Sequence, residues 1–319
     1  MTSTRSITIG CVIALGCWGA SPLLAHTGAV SRLLYAFDGQ ALLSANEFGV
    51  LQFWSPASAK PVRRVEPAWI GAPMAVRAGK HHDVVIAGRA SPEATAVWTV
   101  SRQGQVKKLL DVPVKDVKLL TLSPDSSLLG AGTWEGKSIV LEARSGKVLG
   151  RRGSRTTPID VMAISPDNRI LAVGSGTAIE IWSVANDHRY ADVRETRNVV
   201  TALSFTPDGS KLLVESGGEV EVWTAAMDWR LAAKRKGAAT GAFDPTGALT
   251  ALTTETELHL WDLASDRVVE TIRVSGPRDG AAQPDASQIG AVAFSPDGKR
   301  IAIGLVSGRV IVKEIGGRR

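Results

Sequence analysis

A short turn motif recurs through the chain and constrains its fold more than any local propensity does. Ser123-Pro124-Asp125, Ser165-Pro166-Asp167, Thr206-Pro207-Asp208-Gly209, Asp244-Pro245-Thr246-Gly247 and Ser295-Pro296-Asp297-Gly298 are the clear copies. Asp38-Gly39 is a weaker copy, and Gly79-Lys80 stands where a further one is due. Successive copies lie about 38 to 51 residues apart. A period of this length marks supersecondary units that bury their apolar faces against one another.

Each copy has the same setting. An alternating apolar run precedes it, as in Ala291-Val292-Ala293-Phe294, and another follows, as in Arg300-Ile301-Ala302-Ile303. Pro presets φ, Asp bonds its own backbone and Gly accepts positive φ, so the chain reverses tightly. A Gly-containing turn comes next (Glu135-Gly136, Gly217-Gly218, Ser307-Gly308). A third run then ends in Trp, as in Ile179-Glu180-Ile181-Trp182, and a short charged run closes the unit. Period-2 alternation dominates, and no 3.6-residue period is sustained after residue 30. Four short strands per unit predict an all-β fold, a seven-bladed β-propeller of four-stranded antiparallel blades.

On these motifs residues 26–316 resemble seven WD40 repeats. Trp261-Asp262 is the one literal Trp-Asp pair, and other units read Trp-Ser or Trp-Thr. The buried His-Asp network of well-formed WD40 blades is therefore expected to be mostly missing. The resemblance implies a non-catalytic scaffold for protein–protein interaction, by analogy of fold. It also implies that the N-terminal segment supplies the outermost strand of the last blade, which has only three of its own. Ala25-His26-Thr27-Gly28 resembles the Gly-His-Thr-Gly link between blades, which puts the closing strand at 21–25.

Nine Trp stand against six Phe and two Tyr. Trp54, Trp98, Trp182, Trp223 and Trp261 end third strands, where each ring packs blade on blade and buries about 150–250 Å². Trp69, Trp134 and Trp229 lie off this pattern. They are expected to be exposed, with Trp69 and Trp229 as partner-binding candidates.

Arg5, an apolar run over 7–15 and the small residues after it have the order of a secretory signal. The run is too short for a comfortable spanning helix. Cuts are readable before His26, before Ala20, or before Cys17 within a lipoprotein-like box at 13–17. Retention of a closing strand at 21–25 favours a cut near 16–19. The expectation is a signal over 1–19 and one propeller domain over 20–319, periplasmic or exported. A membrane tether follows only if Cys17 is lipidated. Cys11 and Cys17 are the only cysteines, so the body has no disulfide, Cys-zinc site or Cys nucleophile.

No catalytic, metal or cofactor site is assigned. The pair His81-His82 beside Asp83 lacks further ligands in the sequence nearby. No nucleophile elbow, zinc helix, phosphate loop or dinucleotide fingerprint occurs. The first strands carry mostly Ala, Leu, Val, Ser and Thr, poor material for acid–base chemistry. The rival reading is a propeller that binds a ligand or cofactor, with or without enzymatic activity, at its channel mouth.

Lys plus Arg (37) exceeds Asp plus Glu (31), a net charge of +6. The basic residues gather in fourth strands and the loops after them. Arg151, Arg152, Arg155, Lys234, Arg235 and Lys236 are candidates for binding an acidic protein partner. The competing role is protection of outermost strands against edge-to-edge pairing. A monomer is expected, and nucleic acid is not an expected partner of an exported protein. The polar stretch 273–289 lengthens the last interval and reads as a functional loop.

Overall fold

The computed structural model describes residues 26, 28–79, 83–153, 157–186, 189–225, 229–254, 257–274 and 288–316. They form twenty-seven strands in seven antiparallel sheets. In the first blade β1 (Val30–Ala36), β2 (Ala41–Asn46), β3 (Leu51–Trp54) and β4 (Pro61–Val65) pair in chain order. Later blades repeat this. Their first strands are β5 (Ile70–Ala78), β9 (Val117–Leu122), β13 (Val161–Ile164), β17 (Val200–Phe205), β21 (Ala238–Phe243) and β25 (Ile289–Phe294). Six blades have four strands. The seventh has three among the described residues: β25, β26 (Arg300–Leu305) and β27 (Val310–Glu314). Each first strand touches the next one around, and β25 touches β1. The sheets thus close into a seven-bladed β-propeller around a channel walled by the first strands. The second blade forms in full although it lacks the turn motif; Gly79 N–H donates to Asp83 O instead.

The hydrophobic core is divided into seven clusters, one in each seam between blades. Phe37, Phe53, Trp69 and Trp98 belong to the seam between blades one and two. Leu213, Val222, Leu252 and Trp261 fill that between five and six. Val30, Trp54, Ala293 and Val310 fill the seam that joins seven to one. Central strands lie between two neighbouring blades, so they are buried on both faces. In β7 (Thr95–Val100) and β10 (Leu128–Thr133) every residue is buried. Small residues let the sheets approach: a Cβ on Gly132 would lie 2.8 Å from Ile159 Cγ2 of the next blade. Fourth strands such as β8 (Val106–Asp111) are largely exposed and carry the charge.

The recurrent turn is held by its own side chains. Ser165 Oγ donates to Asp167 Oδ1 at 2.5 Å, and Ile170 N–H donates to Ser165 Oγ at 2.9 Å. Its fourth residue adopts positive φ, from 59° at Ser126 to 81° at the equivalent Gly39. Where that residue is Gly, it receives the turn proline of the preceding blade. A Cβ on Gly39, Gly209, Gly247 or Gly298 would lie 3.0–3.5 Å from Pro296, Pro166, Pro207 or Pro245 respectively. Asn168 replaces that contact with hydrogen bonds to Asp125 Oδ2 (3.0 Å) and Ser127 Oγ (3.1 Å) of the blade before it.

Candidate functional site

Alternating strand direction puts the β2–β3 turn and its equivalents on the same face as the connections between blades. This face is called the top. The Ser-Pro-Asp turns lie on the opposite one. Eight large hydrophobic side chains are exposed among the described residues. Four of them belong to the top: Phe48 in the β2–β3 turn, Ile70 at the start of β5, Trp134 after β10, and Val199 just before β17. The other four, Val62, Leu231, Val268 and Val269, lie on outermost strands. None lies in the Ser-Pro-Asp turns. The two aromatic ones, Phe48 (59 % exposed) and Trp134 (55 % exposed), are both at the top. Lys118 Nζ sits 4.8 Å from the centroid of the Trp134 ring and 2.5 Å from Asp160 Oδ1. Asp160 also accepts Gly176 N–H, so the side of the indole is braced while its outer face stays open.

The five third-strand tryptophans pack in the seams as expected, Trp182 less completely than the others. The expectation of exposure fails for Trp69 and Trp229. Trp69 is 5 % exposed and lies 5.6 Å from Trp98, centroid to centroid, beneath the β2–β3 turn at Gly49. Trp229 is 4 % exposed and meets Phe205 edge-on at 5.8 Å. Both fold back onto a seam because a connection next to a fourth strand runs beside the neighbouring blade.

The basic candidates separate in the same way. In β12 (Val148–Gly153) successive side chains alternate, so Arg151 is exposed and Arg152 is 5 % exposed. Arg152 Nη2 donates to Ser183 O, Val184 O and Asn186 O of the fourth blade, a clamp across the seam. It also lines the small cleft there, with Ser138, Ile159 and Glu180. Arg152 is thus not a partner contact. In β20 (Arg230–Lys236) Lys234 pairs with Glu219 (2.7 Å) and Glu221 (3.3 Å) of its own blade. Arg235 pairs with Asp266 of the sixth blade (3.0 Å) and lies over Trp261. Lys236 is exposed. Arg155 and most of the 273–289 loop lie outside the described residues, as do His81, His82 and residues 1–25.

His26 is buried beside the closing seam. Its Nε2 lies 2.6 Å from Ser44 Oγ, which also accepts Trp54 Nε1–H at 2.7 Å. The other acceptor within reach of the Ser44 hydroxyl, Gln52 O, is farther away at 3.5 Å. Ser44 thus links the His26 and Trp54 rings, and the direction of its bond to His26 follows the ring tautomer. Burial, helped by the charge of Arg64 and opposed by a hydrogen bond to the Ser44 backbone, pushes the His26 pKa down to about 4.

The first strands hold three cations that composition alone had hidden: Arg32 in β1, Arg77 in β5 and Lys118 in β9. Sequence reasoning passed over them because it weighed the strands for acid–base chemistry. The legible signal was Arg within otherwise apolar strands. Among the described residues no three His, Cys, Asp or Glu side chains gather as a metal site would require. No helix there is long and apolar enough to cross a membrane. No protein-family model matches the chain.

Proposed function

We propose that the protein is a degenerate WD40-type propeller that acts as a non-catalytic scaffold and docks a protein partner on its top face. The observation that carries this is the placement of both exposed aromatics, Phe48 and Trp134, on that face. Interface hot spots are enriched in large aromatic side chains that can be fully desolvated. The outer basic edge supports the reading less, because Lys234 and Arg235 already have carboxylate partners. For that edge, protection against strand pairing is the better account. The WD40 assignment is supported by the repeated turn, the Trp-ended third strands and the His26–Ser44–Trp54 bonds.

The same reading places the protein in the periplasm or at the cell envelope, after export on residues 1–19. Supporting it are the charged, apolar and small-residue order of that segment and the position of His26. The His26 carbonyl lies against Gly308 in the β26–β27 turn of the three-stranded seventh blade. Sequencing the N-terminus of the mature protein tests this. A start near residue 17–20 agrees, and a start at His26 refutes retention of a closing strand.

Capture of partners from an envelope extract tests the docking face. Phe48→Ala with Trp134→Ala is expected to abolish recovery of the protein retained by wild type. Val268→Ala with Val269→Ala, on the outer edge, is expected to leave it intact. Loss in the edge variant and retention in the top-face variant would reverse the assignment.

A further inference from the structure

The channel wall is one-sided in charge. The seven first strands contain Arg32, Arg77 and Lys118 and not a single Asp or Glu. Lys118 is neutralised by Asp160, just ahead of β13. That leaves two guanidiniums from adjacent blades. Arg32 Nη1 donates to Ser31 O at 2.8 Å and Nη2 to Met74 O at 3.3 Å, so it reaches across to β5, the strand that carries Arg77. Arg77 Nη1 makes one long bond, 3.4 Å, to Val76 O. All these acceptors are neutral carbonyls. Among the described residues neither guanidinium meets a carboxylate, and most of the five N–H donors that each carries remain unused.

Both side chains are exposed to water. Both are also enclosed deeply enough that burial holds their pKa below the ordinary Arg value, with the charge of Arg32 adding to the effect at Arg77. Groups that are wet and yet surrounded by protein are what a narrow water-filled channel produces. Low-dielectric walls focus the field of like charges in such a channel and raise the local concentration of counter-ions. Planar guanidiniums match the paired oxygens of carboxylate and phosphate.

We infer that the propeller channel binds a small oxyanion, through a carboxylate or phosphate group held between Arg32 and Arg77. The ligand removes the like-charge repulsion in the wall and uses donors that the protein leaves open. This site is separate from the docking face and does not depend on what binds there.

Calorimetric titration and thermal melting of the whole protein test the inference, with inorganic phosphate and succinate as probes and ionic strength held constant with chloride. One or both probes should bind saturably and raise the melting temperature. Binding of phosphate alone identifies a phosphate-bearing ligand, and binding of succinate alone a carboxylate. R32Q and R77Q should each weaken binding roughly tenfold or more, as loss of a charge-assisted pair does. R77K, which keeps the charge but not the fork, should fall between wild type and R77Q. Without probe, R77Q should melt above wild type, a readout that shows both that the variant folds and that the repulsion is real. A response that chloride reproduces, one that R32Q and R77Q keep in full, or no binding of either probe by wild type overturns the inference.

Discussion

Acid should destabilise the closing seam through His26, and the amount can be worked from its surroundings. The ring is 5 % exposed, and its pKa falls from 6.5 to about 4. Between those values the unfolded chain binds a proton that the folded chain refuses, so stability rises with pH across this window. The His26 contribution is fully present above about pH 6.5, declines as pH falls towards 4, and is gone below it. A shift of this size is worth about 3 kcal/mol in total, of which about 2 kcal/mol is already lost at about pH 5. Carboxylates do not confuse the measurement. Asp297, for example, is held below the usual carboxylate range by its hydrogen bond from Ser295 and the Lys299 N–H, with burial opposing. Its stabilisation is intact above the ordinary carboxylate pKa and fades only as pH falls below it.

The assay is urea unfolding at about pH 7.5 and about pH 5, followed by the fluorescence of the nine Trp. The variant is His26→Gln, which keeps an amide able to accept from Ser44 but cannot titrate. Wild type should lose about 2 kcal/mol more than the variant between the two conditions, seen as a larger drop in midpoint at constant m. A wild-type-to-variant difference that stays within about 0.5 kcal/mol across that range would refute a buried neutral His26.

Five other substitutions probe positions where sequence and structure disagree or agree. Trp229→Ala should cost about 3–5 kcal/mol in chemical unfolding, because it empties a seam, whereas exposed Trp134→Ala should stay within about 0.5 kcal/mol. Arg152→Ala should destabilise by about 2–4 kcal/mol through the loss of three bonds from a charged donor across a seam, while Arg151→Ala should be nearly silent. Gly308→Ala should cost about 1–3 kcal/mol or more, since φ is 81° there and the new methyl meets the His26 carbonyl. A Gly308→Ala protein as stable as wild type would show that the N-terminal segment does not press on the β26–β27 turn.

The architecture was legible because the turn motif carries its own chemistry: the hydrogen bonds among Ser165, Asp167 and Ile170 recur at Ser123, Thr206 and Ser295, and at Asp244 the carboxylate and hydroxyl exchange places. Third-strand tryptophans could be placed for the same reason. Trp69, Trp229 and Arg152 were misread because each lies in a short segment whose direction depends on the neighbouring blade, and neighbours across a seam are far apart in sequence. A strand pattern says that Arg151 and Arg152 point opposite ways. It does not say which way meets Ser183 and Asn186. The cations in the channel were visible as residues but not as a site, since Arg32 and Arg77 become neighbours only when the first blade packs against the second. Trp134 was correctly separated from the seam tryptophans, because a Trp in a Gly-containing turn has no strand to bury it.

The contact between a turn proline and the glycine of the next blade has a direction. Proline always comes from the blade before and glycine from the blade after, and the last proline meets the first glycine, Pro296 against Gly39. Such a contact is head-to-tail, so a blade that carries both halves of the joint, as the fifth, sixth and seventh do with Pro207/Gly209, Pro245/Gly247 and Pro296/Gly298, fits between any two of its kind. Among those blades a whole unit can be gained or lost by duplication or deletion without redesigning the joint. The joint itself is indifferent to how many units there are. Closure at seven is imposed by the angle between successive sheets, and the first and last blades, unlike the ends of an open array, need no capping unit.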